Sequence, residues 1–196
     1  MKKLFYAIIA TLLLSSQCFG FMLIAAKNAG DPAGCSETPS YAAESIDASK
    51  DIAVDVASEW FIGGINTSGG SYTVCAVEFY LEKGSTSATG ENMYVEVWAL
   101  DGNDDFTGTV KGTSNVRDAG DVFAGDGWFY FTFDPPVTIS NGDAIAITSD
   151  GPSGNPYISA DGSTLLDSVF SRAWWDINGA NENVQESRST AFRLYE

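Results

Sequence analysis

The chain contains no histidine. That absence removes Ser-His-Asp and Cys-His nucleophilic catalysis, together with every histidine-ligated metal site. Positive charge is scarce: ten lysines and arginines stand against 26 acidic residues, a formal net charge of −16. Such a surface repels phosphate backbones and anionic lipid, so nucleic acid is not an expected partner. Divalent cations, neutral glycans and basic partners remain open, and the plainest role of the charge is to keep an exported protein soluble. There is no Gly-x-Ser-x-Gly elbow and no phosphate-cradling glycine loop. No window carries a sustained 3.6-residue period, which argues against a helical fold.

Long apolar runs are also rare, and the main one lies at the start. Lys2 and Lys3 precede an apolar run eleven residues long, Leu4 to Leu14, too short for a comfortable membrane span. Ser15, Ser16 and Gln17 break the run, and Cys18-Phe19-Gly20 places small residues at −3 and −1 of a cleavage site. This is the anatomy of a secretory signal peptide over 1–20. Cleavage after Ala26 is an alternative, as is lipid attachment at Cys18, although the residues before Cys18 lack the pattern of a lipobox. The expected setting is extracellular, either secreted or at the cell surface. The remaining chain of about 175 residues has the size of one domain with a substantial core. Without Lys2 and Lys3, eight basic residues face 26 acidic ones, a net of −18.

Cysteine is sparse. If Cys18 leaves with the signal, Cys35 and Cys75 remain, and in an exported protein they are expected to form one disulfide. Closing that loop contributes about 3–4 kcal/mol by chain entropy. Two unpaired thiols or an intermolecular link are the competing readings.

Residues 21–51, rich in Gly, Pro, Ser and Ala towards their middle, read as an irregular leader. From Ile52 the pattern is β. Ile52, Val54 and Val56 alternate with Ala53, Asp55 and Ala57. Gly63-Gly64 and Ser68-Gly69-Gly70 read as turns. In Tyr72 to Glu82, Cys75, Val77, Phe79 and Leu81 form the apolar face expected to meet the core. Met93, Val95, Val97 and Ala99 alternate with Tyr94, Glu96 and Trp98. Phe129, Phe131 and Phe133 alternate with Trp128, Tyr130 and Thr132, and Asp134-Pro135-Pro136 should end that strand because proline cannot donate to a ladder. Ser140-Asn141-Gly142-Asp143 is a turn leading into Ala144 to Ser149, and Ala191 to Tyr195 closes the chain as a strand. Asp150 to Gly162 reads as a surface loop. Short strands with frequent turns predict an all-β antiparallel sandwich over 52–196.

The order of several segments resembles the secreted bacterial jelly-roll modules known as choice-of-anchor domains, type R. The segments are Ala57-Ser58-Glu59-Trp60-Phe61, Val77 to Lys83, Tyr94 to Trp98, Trp128 to Phe133, Ile139 to Ile147 and Ala191 to Tyr195. The resemblance implies a jelly roll with carbohydrate-binding character and transfers no catalytic residue. Such modules usually carry a C-terminal sorting anchor; here Glu196 follows the last strand directly, which implies release or another mode of retention.

Two constellations carry candidate chemistry. Asp101, Asn103 and Asp105 match the first half of a calcium loop. Phe106 replaces the turn glycine and Gly112 the bidentate glutamate, so a structural Ca2+ would need ligands from another loop, such as Asp118, Asp121 or Asp126. A solvated polar turn is the competing reading. The second is aromatic. Trp60, Trp98 and Trp128 lie on predicted strands and read as packing. Trp174-Trp175 sits among polar residues, near Arg172, Asp176 and Asn178, and adjacent residues on a strand point to opposite faces, so one ring is a candidate sugar platform. Asn66-Thr67-Ser68 is a glycosylation sequon that matters only in a eukaryotic source.

The expected function is therefore non-catalytic binding of an extracellular glycan or surface protein, with no cofactor required. A self-assembling subunit of a surface layer, fibre or appendage is the alternative. A polysaccharide hydrolase is the third reading; it needs two carboxylates about 5–10 Å apart, and the Glu-x-Asp spacing of sandwich glycosidases is absent.

Overall fold

A computed structural model describes residues 34–44, 46–55, 61–83, 92–118, 127–149, 157–163, 169–175, 181–185 and 189–196. In chain order the strands begin with β1 (Tyr41–Ala42), β2 (Ile46–Asp55), β3 (Phe61–Asn66), β4 (Tyr72–Lys83) and β5 (Asn92–Leu100). They continue with β6 (Phe106–Thr113), β7 (Arg117–Asp118), β8 (Gly127–Ile139), β9 (Asp143–Ser149) and β10 (Tyr157–Ser163). The last are β11 (Phe170–Trp175), β12 (Asn181–Gln185), β13 (Ser189–Thr190) and β14 (Phe192–Tyr195). The described residues contain no helix.

Two seven-stranded antiparallel sheets pack face to face, the sandwich that the alternating pattern predicts. The first sheet runs β1-β14-β4-β10-β13, with β2 on β10 and β8 on β4. The second runs β12-β11-β3-β9-β5-β6, with β7 on β5. Residues from Gly34 to Glu196 form one compact unit.

The period of two explains the core. Met93, Val95 and Val97 are fully buried, while Tyr94, Glu96 and Trp98 between them are partly exposed. They meet Ile145 and Ile147 of the same sheet and Phe79, Leu81, Phe131 and Phe192 of the other in one apolar cluster. Full burial of each such side chain contributes about 1.5–3 kcal/mol.

Several expectations need correction. The sandwich begins before Ile52: β1 and half of β2 fall in the stretch read as leader, and Ser36, Ser40 and Ala43 donate backbone bonds to Glu196, Leu194 and Phe192. A two-residue strand leaves too little sequence for a period to show. Gly63-Gly64 is no turn but the middle of β3. A Cβ on Gly63 would fall 2.7 Å from Ala146 Cα, so glycine is there for close strand approach. Asp134-Pro135-Pro136 does not end β8, which continues to Ile139. The β4–β8 register jumps from Val74↔Val137 to Ala76↔Thr132, so a bulge takes the prolines out of the ladder. The same irregularity puts Val74 in the main core and Cys75 in a separate cluster with Ala76 and Tyr195, reversing the expected faces there. Finally, the expected loop 150–162 holds most of β10, which pairs with β2 and β4.

The disulfide between Cys35 and Cys75 is present, with Cα atoms 5.8 Å apart. The sequon does not offer a free acceptor: Asn66 is fully buried and its Nδ2 donates to Gly70 O at 3.0 Å.

Candidate functional site

The register of the second sheet defines its outer face. Val95 and Val97 pair with Ile147 and Ile145 on the core side, so Glu96↔Ala146 and Trp98↔Ala144 belong to the opposite side. From there the pairing runs Ala144↔Ile65↔Ser171 and Ala146↔Gly63↔Ala173. Two rows thus cross four strands. One carries Trp98 and Ile65. The other is Glu96 followed by Ala146, Gly63 and Ala173, all three buried. Ile65, Ala144, Ala146 and Ala173 form a second apolar cluster, with Trp98, Leu100 and Phe106 packed against it.

Trp98 stands at the β5 end of its row. Its ring stacks on Phe106 with centroids 4.6 Å apart and planes 8° from parallel. The indole Nε1 donates to Glu96 Oε2 at 2.9 Å, and Thr113 Oγ1 donates to Glu96 Oε1 at 3.3 Å. Ring and carboxylate are therefore held in fixed relation while both remain partly exposed. Phe106 reaches Trp98 because β6 folds back on β5, with Leu100↔Phe106 in register.

The reversal between β5 and β6 is the Asp101–Asp105 turn. Asp101 Oδ1 accepts from Asn103 N at 2.8 Å and Asp105 N at 3.0 Å, and Asp104 adopts a φ of 64°. Asp101 thus spends one carboxylate oxygen on the backbone, the usual use of an aspartate in a turn. Among the described residues no group of three or more acidic or cysteine side chains is arranged to hold a metal. Asp118 lies on β7; Asp121 and Asp126 lie outside the described residues.

Burial raises the Glu96 pKa, and the hydrogen bonds from Trp98 and Thr113 oppose that shift. Among the described residues no cation pairs with it. The folded protein therefore favours the neutral carboxyl. Its stabilising contribution is complete below the ordinary glutamate range and is lost as pH rises through the raised value. Glu96→Gln removes that ionisation while keeping an acceptor for Trp98. The variant is expected to melt above the parent at neutral pH and to converge with it near pH 4. Thermal melts at both pH values check this, and a lower neutral-pH midpoint for the variant contradicts it.

The sequence-derived platform lies in the same sheet. On β11, Trp174 pairs with Ile62 and Trp175 with Phe61, and Arg172 pairs with Gly64. On the other side Trp174 and Trp175 pair with Asn183 and Asn181 across an irregular register. Trp175 stands two residues along β11 from Ala173. Asp176, Asn178 and Trp60 lie outside the described residues. The fold thus brings the β11 tryptophans and Trp98 into one sheet. The Asp101 turn sits at the end of β5, two residues past Ala99.

The first sheet has an aromatic cluster of a different kind. Trp128 meets Tyr80 edge-on at 5.5 Å, and the Arg193 guanidinium lies 3.9 Å from the Trp128 ring centroid. Arg193 also donates to Glu78 at 2.9 Å and to Glu44. Tyr195 donates its hydroxyl to Glu78, and burial followed by that carboxylate raises the Tyr195 pKa well above the usual phenol value. Here cation, carboxylates and hydroxyl satisfy one another, fastening β14 to β4. The cluster is built to hold strands together.

No family model, curated protein or solved structure matches the chain. The class of protein is set by its architecture, an antiparallel β-sandwich.

Proposed function

We propose that the protein is a non-catalytic extracellular binding module and that the outer face of its second sheet takes a neutral glycan. The observation that carries this reading is the Trp98 ring, stacked on Phe106 and tied through its indole nitrogen to Glu96. Sugar rings stack on flat aromatic side chains, and their hydroxyls are bound by neighbouring carboxylates and amides. A ring fixed in advance loses little entropy on binding. The adjoining Ala146, Gly63 and Ala173 are buried, so the part of this face open to a ligand is the partly exposed Trp98–Phe106–Glu96 group.

The net negative charge favours neutral over acidic sugars. The extracellular setting rests on the signal-like N-terminus and is supported by the disulfide, a feature of oxidising compartments. Among the described residues no helix is long and apolar enough to cross a membrane. The likeness to choice-of-anchor modules points to the same setting. The non-catalytic character rests on the missing histidine and on the missing Glu-x-Asp pair.

A glycan array at multivalent display, with calcium and again with a chelator, tests this reading. Specific binding is expected, falling about tenfold in Trp98→Ala, the worth of one aromatic stack. Trp174→Ala and Trp175→Ala test the platform read from the sequence, and loss with chelator would bring in the Asp101 turn. Absence of binding under both conditions removes the glycan reading and favours a structural subunit.

A further inference from the structure

We propose that residues 34–44 are a disulfide-latched, exchangeable edge strand, and that the opened latch lets the β14 edge pair with the same segment of a second copy of this chain. The inference is independent of the glycan-binding face. It rests on how β14 is held. This strand lies between β1 on one side and β4 on the other, antiparallel to both. Cys35 belongs to the segment on the first side and Cys75 to the strand on the second. The disulfide therefore joins the two flanks of β14 across its end. Ser36 N donates to the Glu196 carbonyl at 2.7 Å there, and Thr73 N donates to Glu196 Oε1 at 2.7 Å.

Without the covalent bond the segment holds on as an edge strand only. Its ladder pairs are Tyr41↔Leu194 and Ala42↔Arg193. The further backbone bonds from Ser40 and Ala43 measure 2.8 and 2.9 Å. Around Thr38 the segment turns inward on itself: Ser36 Oγ donates to Thr38 O and accepts from Thr38 N. The side-chain contacts are specific. Tyr41 packs between Phe170 and Phe192, at 4.8 and 5.1 Å, and Glu44 pairs with Arg193. A departing segment would leave a row of unpaired β14 backbone groups, a slot shaped for a tyrosine and an arginine short of one carboxylate. An identical segment from a second copy restores all three, which makes it the complementary occupant of that edge.

Opening the latch is a two-electron reduction. A dithiol reductant supplies two electrons and two protons, Cys35 and Cys75 become thiols, and the reductant closes to its own disulfide.

The test is the molar mass of the full chain by light scattering after size exclusion, oxidised and after treatment with excess dithiothreitol. The oxidised protein should run as the 20.9 kDa monomer, or lighter by its signal segment. The reduced protein should shift to twice that mass or higher multiples while keeping its β-sheet circular dichroism. Excess synthetic peptide of residues 34–44, with Cys35→Ser, should return it to the monomer. The Cys35→Ser/Cys75→Ser chain should reproduce the shift without reductant. A folded monomer at every concentration overturns the proposal. So does unfolding on reduction, or an oligomer that the peptide leaves intact.

Discussion

Phe192→Ala is expected to remove about 3–5 kcal/mol of stability, the usual cost of truncating a buried phenylalanine. Phe192 is fully buried and touches three other rings: Phe79 at 5.5 Å, Phe170 at 5.2 Å and Tyr41 at 5.1 Å. These neighbours come from β4, from β11 in the opposite sheet and from β1, so the ring is the point where both sheets and the edge segment meet. Backbones paired on two sides cannot collapse into the space it leaves, and the cavity stays largely open. For a domain of this size the loss corresponds to a melting point lower by roughly 6–20 °C. Phe192→Leu should recover part of that loss by refilling the volume. Thermal melts of the parent and both variants decide it; an alanine variant within two degrees of the parent contradicts the packing account.

Gly63→Ala should be of similar severity through the opposite fault, too much atom instead of too little. The added methyl would meet the Ile145 carbonyl oxygen, with Ala146 Cα at 2.7 Å and Ile145 C at 2.8 Å. All are backbone atoms of the neighbouring strand, which no rotamer change can move. The Gly63 carbonyl is also fixed from the other side, accepting from Thr190 Oγ1 at 2.7 Å. Strands β3 and β9 would have to part, at a cost upwards of about 3 kcal/mol. Gly102→Ala is the control, since a Cβ there meets nothing within 4 Å. The account expects Gly102→Ala to fold like the parent and Gly63→Ala to yield little folded protein by circular dichroism. Equal behaviour of the two would show that β3 does not approach β9 so closely.

The sequence was readable wherever one strand face is buried and the other open. The alternation through Met93 to Trp98 and through Phe129 to Phe133 follows directly from burial. It failed where local signals answered a non-local need. The glycine pair of β3 answers to a neighbouring backbone, and the prolines of β8 are absorbed by a bulge that only the partner strand reveals. Hardest were β10 and β12, rich in polar and small residues, whose strand character comes from their partners.

The site was half readable for the same reason. Alternation alone separated Tyr94, Glu96 and Trp98 from Met93, Val95 and Val97. It could not show that Phe106 returns from β6 to stack on Trp98, nor that Ala146, Gly63 and Ala173 line up across β9, β3 and β11. Those neighbours are set by register, which depends on turns and pairings far from Trp98 in the chain. By sequence alone Trp98 resembles any packed strand tryptophan, whereas Trp174 and Trp175, of the same sheet, stand out by their polar surroundings.

The most direct measurement follows the five tryptophan indole N–H resonances during titration with a neutral oligosaccharide. Trp98→Phe assigns the Trp98 signal, and the bond to Glu96 makes that signal sensitive to anything bound on the ring. The account predicts a saturable shift of the Trp98 resonance, with the Trp128 signal of the opposite sheet unmoved. A saturable shift at Trp128 with Trp98 unchanged, or no saturable shift at any tryptophan, would contradict it.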